Sequence, residues 1–559
     1  MKLSSLAQTY RSMQRLREIL LVLSRHGFSQ VLEATGLARF LPLSRRLRRR
    51  AGLEGDTPIP VQLRMALEDL GPTFVKLGQM LSTRPDLVPP LFVDEFRKLQ
   101  DDVPPFSFAE VSRIVEEETG APLAGSALTV DPQPLAAASI AQVHRARLGD
   151  GTRVVLKVQR PGIERLVSQD LAILYLLAGF AGRHIEELRD VDLGTIVDEF
   201  ARTIRGELDF FREASHVERF RKSFEAFEGV VIPAVHWELT TRRLLVLDEI
   251  DGQPIRARDE LAARGIDPGR IARIATRCFL KQVFEDGVFH GDLHGGNLLV
   301  TPDGQIGLVD FGAVGYLSEE VQDGLGGIFI ALVTRDYPAM AEGYLRLGAV
   351  DDTVSLRRFE RDLRELIEPY YGRPLKDLRL GEILRESAQI ALRHRIRIPP
   401  DVVLLARSTV TIEGVARVLD PDFVLLDEAI PYARRLLLRH LDPRRRAKIL
   451  LRSTRDLSDL AAALPGQVTR IFQKLLEGKI AIDFVHKGYE KVVDEMDRSS
   501  NRISLGLVVS ALIVGSALVG LSEKGPLLWG FPVFGILGFL LAGFLGFGLA
   551  IAILRSGKF

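Results

Sequence analysis

An α+β fold that ends in a two-helix transmembrane hairpin is what the sequence predicts, on three observations. Long stretches with helical spacing of apolar residues surround a β-rich region at residues 141–158, and two apolar stretches, 503–521 and 527–554, close the chain. The 559 residues, 46% of them hydrophobic, can bury several cores, which excludes a small peptide or a disordered chain. Mean hydropathy is +0.10 despite 26% charged residues, so apolar residues must be concentrated somewhere, and they are at the C-terminus. Lys plus Arg number 74 against 73 Asp plus Glu. A net charge of +1 gives no global case for nucleic acid or for acidic substrates, so any charge logic is local. The single cysteine, Cys278, cannot form an internal disulfide or a multi-cysteine metal site, and its apolar setting predicts a buried thiol in a reducing compartment.

In chain order, residues 1–50 carry eleven basic residues against Glu18 and Glu33 and end in Arg45, Arg46, Arg48, Arg49 and Arg50. Leu20, Leu21, Leu23, Phe28 and Leu32 have helical spacing, which fits an interfacial helix on anionic lipid or an ordinary solvated helix. A mitochondrial or plastid presequence has the same composition, but no processing site follows. Residues 60–118 read as helices broken at Gly71-Pro72, Arg84-Pro85 and Pro104-Pro105. From 135 to 158 the pattern alternates, and Gly149-Asp150-Gly151 joins runs 141–148 and 152–158 into a hairpin. Residues 163–220 are helical again, 242–250 form a short strand, and the chain beyond Asp267 is mostly helix with strand pieces at 297–300 and 306–309.

Residues 503–521 hold 19 residues without a charge, about 28 Å as a helix and close to the hydrocarbon thickness of a bilayer. Ser522-Glu523-Lys524-Gly525-Pro526 makes the turn, and Gly530 and Pro532 lie where the second span begins. Arg498, Arg502, Arg555 and Lys558 flank the outer ends, which places both ends and the large soluble part in the cytoplasm. Gly538, Ala542, Gly546 and Ala550 form a small-residue stripe for close helix approach, within the hairpin or in a homodimer. Nine basic residues between 434 and 455 suit anionic lipid or a solvated linker equally.

The chemistry is concentrated in two places. Lys157 sits in the apolar strand Val154-Val155-Leu156-Lys157-Val158, where burial demands an anion, either a phosphate or a carboxylate. Glu207, Asp209 and Glu213 lie on a helical pattern about fifty residues later, and one of them can pair with it. His290-Gly291-Asp292-Leu293-His294-Gly295-Gly296-Asn297 is followed by a strand and Asp310-Phe311-Gly312. If the two loops converge, Asp292, Asn297 and Asp310 present oxygen ligands suited to Mg²⁺ and triphosphate. His290 and His294 invite a zinc comparison, but no third ligand stands at a zinc spacing.

The order Lys157, helix glutamate, Asp292, Asn297 and Asp310-Phe311-Gly312 resembles the protein-kinase signature set. Ala136-Ala137-Ala138-Ser139-Ile140-Ala141-Gln142-Val143 matches the kinase Gly-rich loop with each glycine replaced by alanine. With Lys76-Leu77-Gly78-Gln79 as a KxGQ motif and Glu207-Leu208-Asp209 as ExD, the chain resembles the UbiB/AarF family of atypical kinase-like proteins, also called the ADCK family, from about residue 60 to 425.

The resemblance implies a protein-kinase-like two-lobe fold. Its expected parts are a basic N-terminal segment (1–58), a helical extension carrying KxGQ (59–130), an N-lobe with a helical insert (131–252), a C-lobe (253–425), a basic helical linker (426–502) and the hairpin (503–554). It implies ATP or ADP with Mg²⁺ as cofactors. Lys157 would hold the phosphates with Glu213 as its partner, or Glu207. Asp310 and Asn297 would hold the metal, and Asp292 would position or deprotonate the nucleophile. Ala136, Ala137, Ala138, Ser139, Ile140, Ala141 and Val143 would roof the nucleotide. The hinge would fall at Leu247-Asp248-Glu249-Ile250, with backbone groups of Glu249 and Ile250 at the adenine edge. Lys76 and Gln79 would reach over the site to Glu207 and Asp209 and block a peptide groove.

Departures from ordinary kinases matter. Gly291 replaces the HRD arginine and no Ala-Pro-Glu follows Asp310-Phe311-Gly312, so the platform for protein substrates is missing. Leu293 and Gly295 stand where the family usually has prolines, which predicts a more mobile loop. The resemblance therefore implies a membrane-anchored ATPase or a kinase of a lipid-like small molecule that supports ubiquinone or other isoprenoid quinone biosynthesis, in a bacterial inner membrane rather than an organelle. A nucleotide-binding scaffold that organises a membrane complex is the alternative. Expected partners are membrane lipids, a lipid-like quinone precursor, quinone-biosynthesis proteins and a second copy of the chain.

Overall fold

Glycine and proline cut the first part of the chain into short helices in this computed structural model, which describes residues 2–29, 32, 57–82, 84, 87–99, 103–122, 128–184, 192–334, 336–348, 355–370, 379–396, 398–440, 489–521, 526–528 and 531–555. Helix α1 is Lys2–Arg25. α2 (Ile59–Leu70) starts after Pro58 and stops at Gly71, whose φ of 93° is open to glycine. α3 (Pro72–Ser82) and α4 (Pro90–Phe96) follow. α5 (Phe108–Thr119) begins with a capping box between Ser107 and Glu110 and ends at left-handed Gly120. The basic cluster at 45–50 lies outside the described residues.

The apolar side of α1 does not lie on lipid as an interfacial helix would. Leu16, Ile19 and Leu20 are buried in the protein core, and Arg15 donates to Asp170 and to the Leu70 carbonyl. An apolar stripe of this kind reads the same in sequence whether it meets a bilayer or a neighbouring helix.

Strands β1 (Leu128–Ala137), β2 (Ala141–Leu148) and β3 (Arg153–Gln159) run antiparallel in order. α6 (Ile163–His184), α7 (Leu193–Glu207) and α8 (Phe210–Phe224) follow, and then the short strand β4 (Val230–Val231). β5 (Leu244–Asp248) returns to pair antiparallel with β3. β1 starts earlier than the alternation from 135 suggests; it is an edge strand, and Pro132 and Pro134 mask its β signal.

The second half holds β6 (Gln253–Pro254), α9 (Arg258–Ala263), α10 (Pro268–Lys281), β7 (Val288–His290), β8 (Leu298–Val300), β9 (Ile306–Leu308) and β10 (Val314–Tyr316). β4, β9, β8 and β6 form one sheet, and β7 pairs with β10. Helices α11 (Glu319–Thr334), α12 (Tyr337–Leu347), α13 (Leu356–Ile367), α14 (Leu380–Arg393), α15 (Pro400–Leu419) and α16 (Leu425–His440) complete this half. Cys278 is buried on α10, and burial pushes its thiol up to about 12. The architecture is the expected two-lobed α+β arrangement: a mainly antiparallel sheet with a long helix behind it, joined to a larger helical half.

Residues 448–559 form a separate unit. Its described part is α17 (Tyr489–Gly520), the paired short strands β11 (Leu527–Leu528) and β12 (Phe531–Pro532), and α18 (Val533–Arg555). Both are long and apolar enough to cross a membrane, with mean hydropathies of 2.3 over Ser499–Gly520 and 2.2 over Val533–Ala550. Three of the four stripe residues turn inward to the hairpin: Gly538 lies against Ser516, Ala542 is buried and Gly546 approaches Val509, whereas Ala550 is exposed. Most of the basic linker (441–488) and the tip at 522–525 lie outside the described residues.

Candidate active site

Period-two alternation along β3 sets the site. Val154, Leu156 and Val158 point into the core shared with Val111, Ile114 and Val115 of α5, so Lys157 points to the opposite face. Register places Ala136, Val143, Lys157 and Leu245 in one row across four strands. Behind that row, α8 starts afresh at Asp209, which accepts a bond from the Phe211 amide as N-cap. One turn on, Glu213 meets Lys157: Nζ donates to Oε1 at 2.8 Å and Oε2 at 2.9 Å, and Glu213 is 6% exposed.

Lys157 also donates to Asp310 Oδ1 at 2.9 Å. Burial opposes the charge on Lys157, but Asp310 and Glu213 together outweigh it and raise its pKa. In return, the charge of Lys157 holds the Asp310 carboxyl well below the usual carboxylate range against its desolvation, with Lys76 contributing at longer range. Burial raises Glu213, and Lys157 opposes that rise.

Asp310 adopts φ 61°, a left-handed conformation unusual for a side-chain-bearing residue. Its neighbour anchors the turn. Phe311 is fully buried, its ring 5.0 Å from Phe220 and 5.4 Å from His290, and its carbonyl accepts a bond from His216 Nδ1. Antiparallel pairing of β8 with β9 then brings Asn297 beside the same turn, with Val309 N donating to the Asn297 carbonyl at 3.2 Å. Asn297 Nδ2 donates to the Asp292 carbonyl at 2.9 Å, and the Asp292 amide donates to His290 Nδ1 at 3.1 Å. The two loops therefore do converge.

Both His290 nitrogens are engaged, since Nε2 donates to the Val309 carbonyl. This ring is a buried scaffold and has no lone pair left for zinc. Among the described residues no cluster of three or more His, Cys, Asp or Glu could hold a metal. Asp310 and Asn297 offer two hard side-chain oxygens, a set that fits Mg²⁺ sharing its coordination with phosphate oxygens and water.

Several expectations need correction. Ser139, Ile140 and Ala141 are buried, so only Ala136, Ala137, Ala138 and Val143 keep surface at the turn between β1 and β2. The turn is pinned: Arg160 donates through its side chain to the Ala138 and Pro104 carbonyls and through its amide to the Ile140 carbonyl. Glu249 cannot offer its N–H to an adenine edge, because that group extends the sheet by donating to the Arg153 carbonyl at 2.9 Å. The Ile250 amide makes no hydrogen bond among the described residues.

Lys76 on α3 does pair with Glu207, at 3.3 Å. Gln79 instead donates to the Leu99 carbonyl, and Asp209 is occupied as the α8 cap, with Arg242 at 3.9 Å. The Leu293 and Gly295 loop is anchored rather than loose. Leu293 is buried, Ile255 N donates to the Gly295 carbonyl, and a β-carbon at Gly295 would strike the Ile255 carbonyl.

Sequence reasoning missed Arg160, Arg407 and Ser408. Arg407 donates to Asp292 Oδ1 at 3.3 Å and Ser408 to the Gly291 carbonyl at 2.9 Å. Nothing local to α15 distinguishes these two residues from other polar helix positions.

A lysine–glutamate pair on strand and helix, facing an Asp-Phe-Gly turn and an aspartate–asparagine loop, defines an atypical kinase-like protein. Comparison agrees. The ABC1 atypical kinase-like domain matches residues 98–344, the UbiB helical domain 363–424, and the ABC1/UbiB kinase-like C-terminal domain 487–555. The chain belongs to the ABC1/UbiB family. It is 32% identical to a protein from the hydrogenase 1 5′ region of Clostridium pasteurianum, over 98% of this chain and 99% of that one. It is 36% identical to a probable protein kinase UbiB of Pseudomonas putida strain F1, over 83% of this chain and 85% of that one. The solved complex of Rv3197 with erythromycin from Mycobacterium tuberculosis is 24% identical, with a TM-score of 0.44, and covers 64% of this chain and 91% of that one.

Proposed function

We propose that the protein is a membrane-anchored, ATP-dependent enzyme that hydrolyses ATP or phosphorylates a small lipid-like molecule in support of ubiquinone or another isoprenoid quinone biosynthesis. The observation that carries this reading is the meeting of Lys157, Glu213 and Asp310 beside the Asp292 and Asn297 loop. Glu213 orients Lys157 toward the phosphates, Asp310 and Asn297 hold Mg²⁺, and Asp292 takes or positions the proton of the attacking hydroxyl or water. The bound ion supplies charge neutralisation at the phosphates.

Protein phosphorylation is disfavoured by the chain itself. Only residues 313–318 separate Gly312 from α11, which leaves no extended segment to seat a peptide, and Lys76 of the helical extension stands at the site. The two apolar helices, with basic residues at their outer ends, support an inner-membrane anchor with the kinase-like unit in the cytoplasm. The quinone assignment follows from the resemblance to the UbiB/AarF family; the UbiB relatives themselves are named probable protein kinases. The test is the quinone profile of a deletion strain complemented with wild type or with Asp310→Asn. A precursor that accumulates in the deletion and clears only with wild type supports the reading; an unchanged profile in the deletion strain rejects it.

A further inference from the structure

Position 291 holds glycine where the HRD motif of ordinary protein kinases has arginine, and α15 fills the space. A β-carbon at Gly291 would lie 2.9 Å from Leu404 Cδ2 of α15. Ser408, fully buried on the same helix, donates to the Gly291 carbonyl. At the helix start, Asp401 accepts a bond from the Tyr316 amide at 3.2 Å, which ties α15 to β10 as well. Leu404, Arg407 and Ser408 are spaced i, i+3 and i+4, so one face of α15 is laid along the Asp292 loop.

Asp292 is held asymmetrically. Its amide and carbonyl are fixed by His290 and Asn297, whereas among the described residues its carboxylate has a hydrogen bond only from Arg407, with His294 Nε2 further off at 3.8 Å. Arg407 is half-exposed, and its bond to Asp292 Oδ1 is the one its side chain makes among the described residues. A carboxylate free to rotate about χ2 would spend time away from the nucleophile, and a hydrogen bond from a guanidinium carried on a docked helix limits that rotation.

We propose that Arg407 is a positioning residue for the Asp292 carboxylate, so that the helical segment 363–424 is part of the working site. This rests on the reading of Asp292 as the group that positions or deprotonates the nucleophile.

The test uses the full chain in detergent with anionic liposomes, measuring ATP turnover and ATP binding. Arg407→Ala is expected to lower turnover by about tenfold, a fraction of what a general base contributes, with the ATP dissociation constant within about twofold of wild type. Arg407→Lys restores part of the loss. Adding Arg407→Ala to Asp292→Asn costs nothing further, because a positioning residue acts only through the group it positions. Unchanged turnover in Arg407→Ala, loss of ATP binding in step with turnover, or an additive loss in the double variant overturns the proposal. If Arg407→Ala does not fold, Arg407→Lys decides alone: partial turnover with wild-type ATP affinity upholds the proposal, and wild-type turnover overturns it. Loss of turnover in Asp310→Asn with full turnover in Arg407→Ala defeats this inference alone. A wild-type chain without turnover defeats the underlying functional reading.

Discussion

Lys157 Nζ lies 2.9 Å from Asp310 Oδ1, across 153 positions of sequence. The contact joins the sheet to the Asp-Phe-Gly turn and depresses the Asp310 pKa in the folded chain, with Lys157 as the main cause. Unfolding returns that carboxyl to about 3.9. A depressed folded pKa contributes stability that is complete above the unfolded value and is lost as pH falls through it toward the folded one. Thermal melts of wild type and Asp310→Asn should therefore keep a constant gap above about pH 5 and converge, or cross in favour of the variant, as pH falls from about 5 to about 2. A constant difference in melting temperature over that range contradicts the assignment.

Arg15 and Asp170 fasten α1 to α6 through a bond of 2.8 Å, with Asp170 fully buried. Arg15→Ala strands a buried carboxylate and should cost about 3–5 kcal/mol, whereas Arg15→Met with Asp170→Leu should recover most of it. Equal melting temperatures for wild type and Arg15→Ala would show that α1 is not docked this way.

Ala138 keeps its carbonyl on Arg160 and its amide on the Ala141 carbonyl, at 3.2 and 2.8 Å. Ala138→Gly removes a methyl from the turn between β1 and β2 and loosens it, at a cost of roughly 0.5–1 kcal/mol in stability. Closer backbone approach to phosphate should change ATP and ADP affinities by different factors, about threefold or more in their ratio. Superimposable binding curves for both nucleotides, before and after the change, contradict the steric account.

The hairpin can be tested by cross-linking. A β-carbon at Gly538 would lie 3.2 Å from that of Ser516, within reach of a disulfide. In a Cys278→Ser background, Ser516→Cys with Gly538→Cys should oxidise to a monomeric, internally bridged chain. A covalent dimer as the main product would place the stripe at an interface between copies instead.

Groups that lie close together along the chain were legible without coordinates. The His290 to Asn297 loop, the Asp310 turn and the β2–β3 hairpin are each short motifs whose chemistry sits in consecutive letters. Lys157 was legible because an ammonium inside an apolar strand needs an anion, but its choice of Glu213 over Glu207 depends on Asp209 restarting the helix. The three-residue strands β7 and β10 are too short to show a period. Arg407 was invisible because its meaning comes from where α15 docks, 115 positions beyond Asp292. Glu249 misled because sequence does not show which amide the neighbouring strand has already taken.

The most direct test is steady-state ATP turnover by the purified full chain on anionic liposomes, comparing wild type with Asp310→Asn and Asp292→Asn. The account predicts wild-type turnover that falls by about a hundredfold or more in both variants. Equal turnover in all three chains contradicts it.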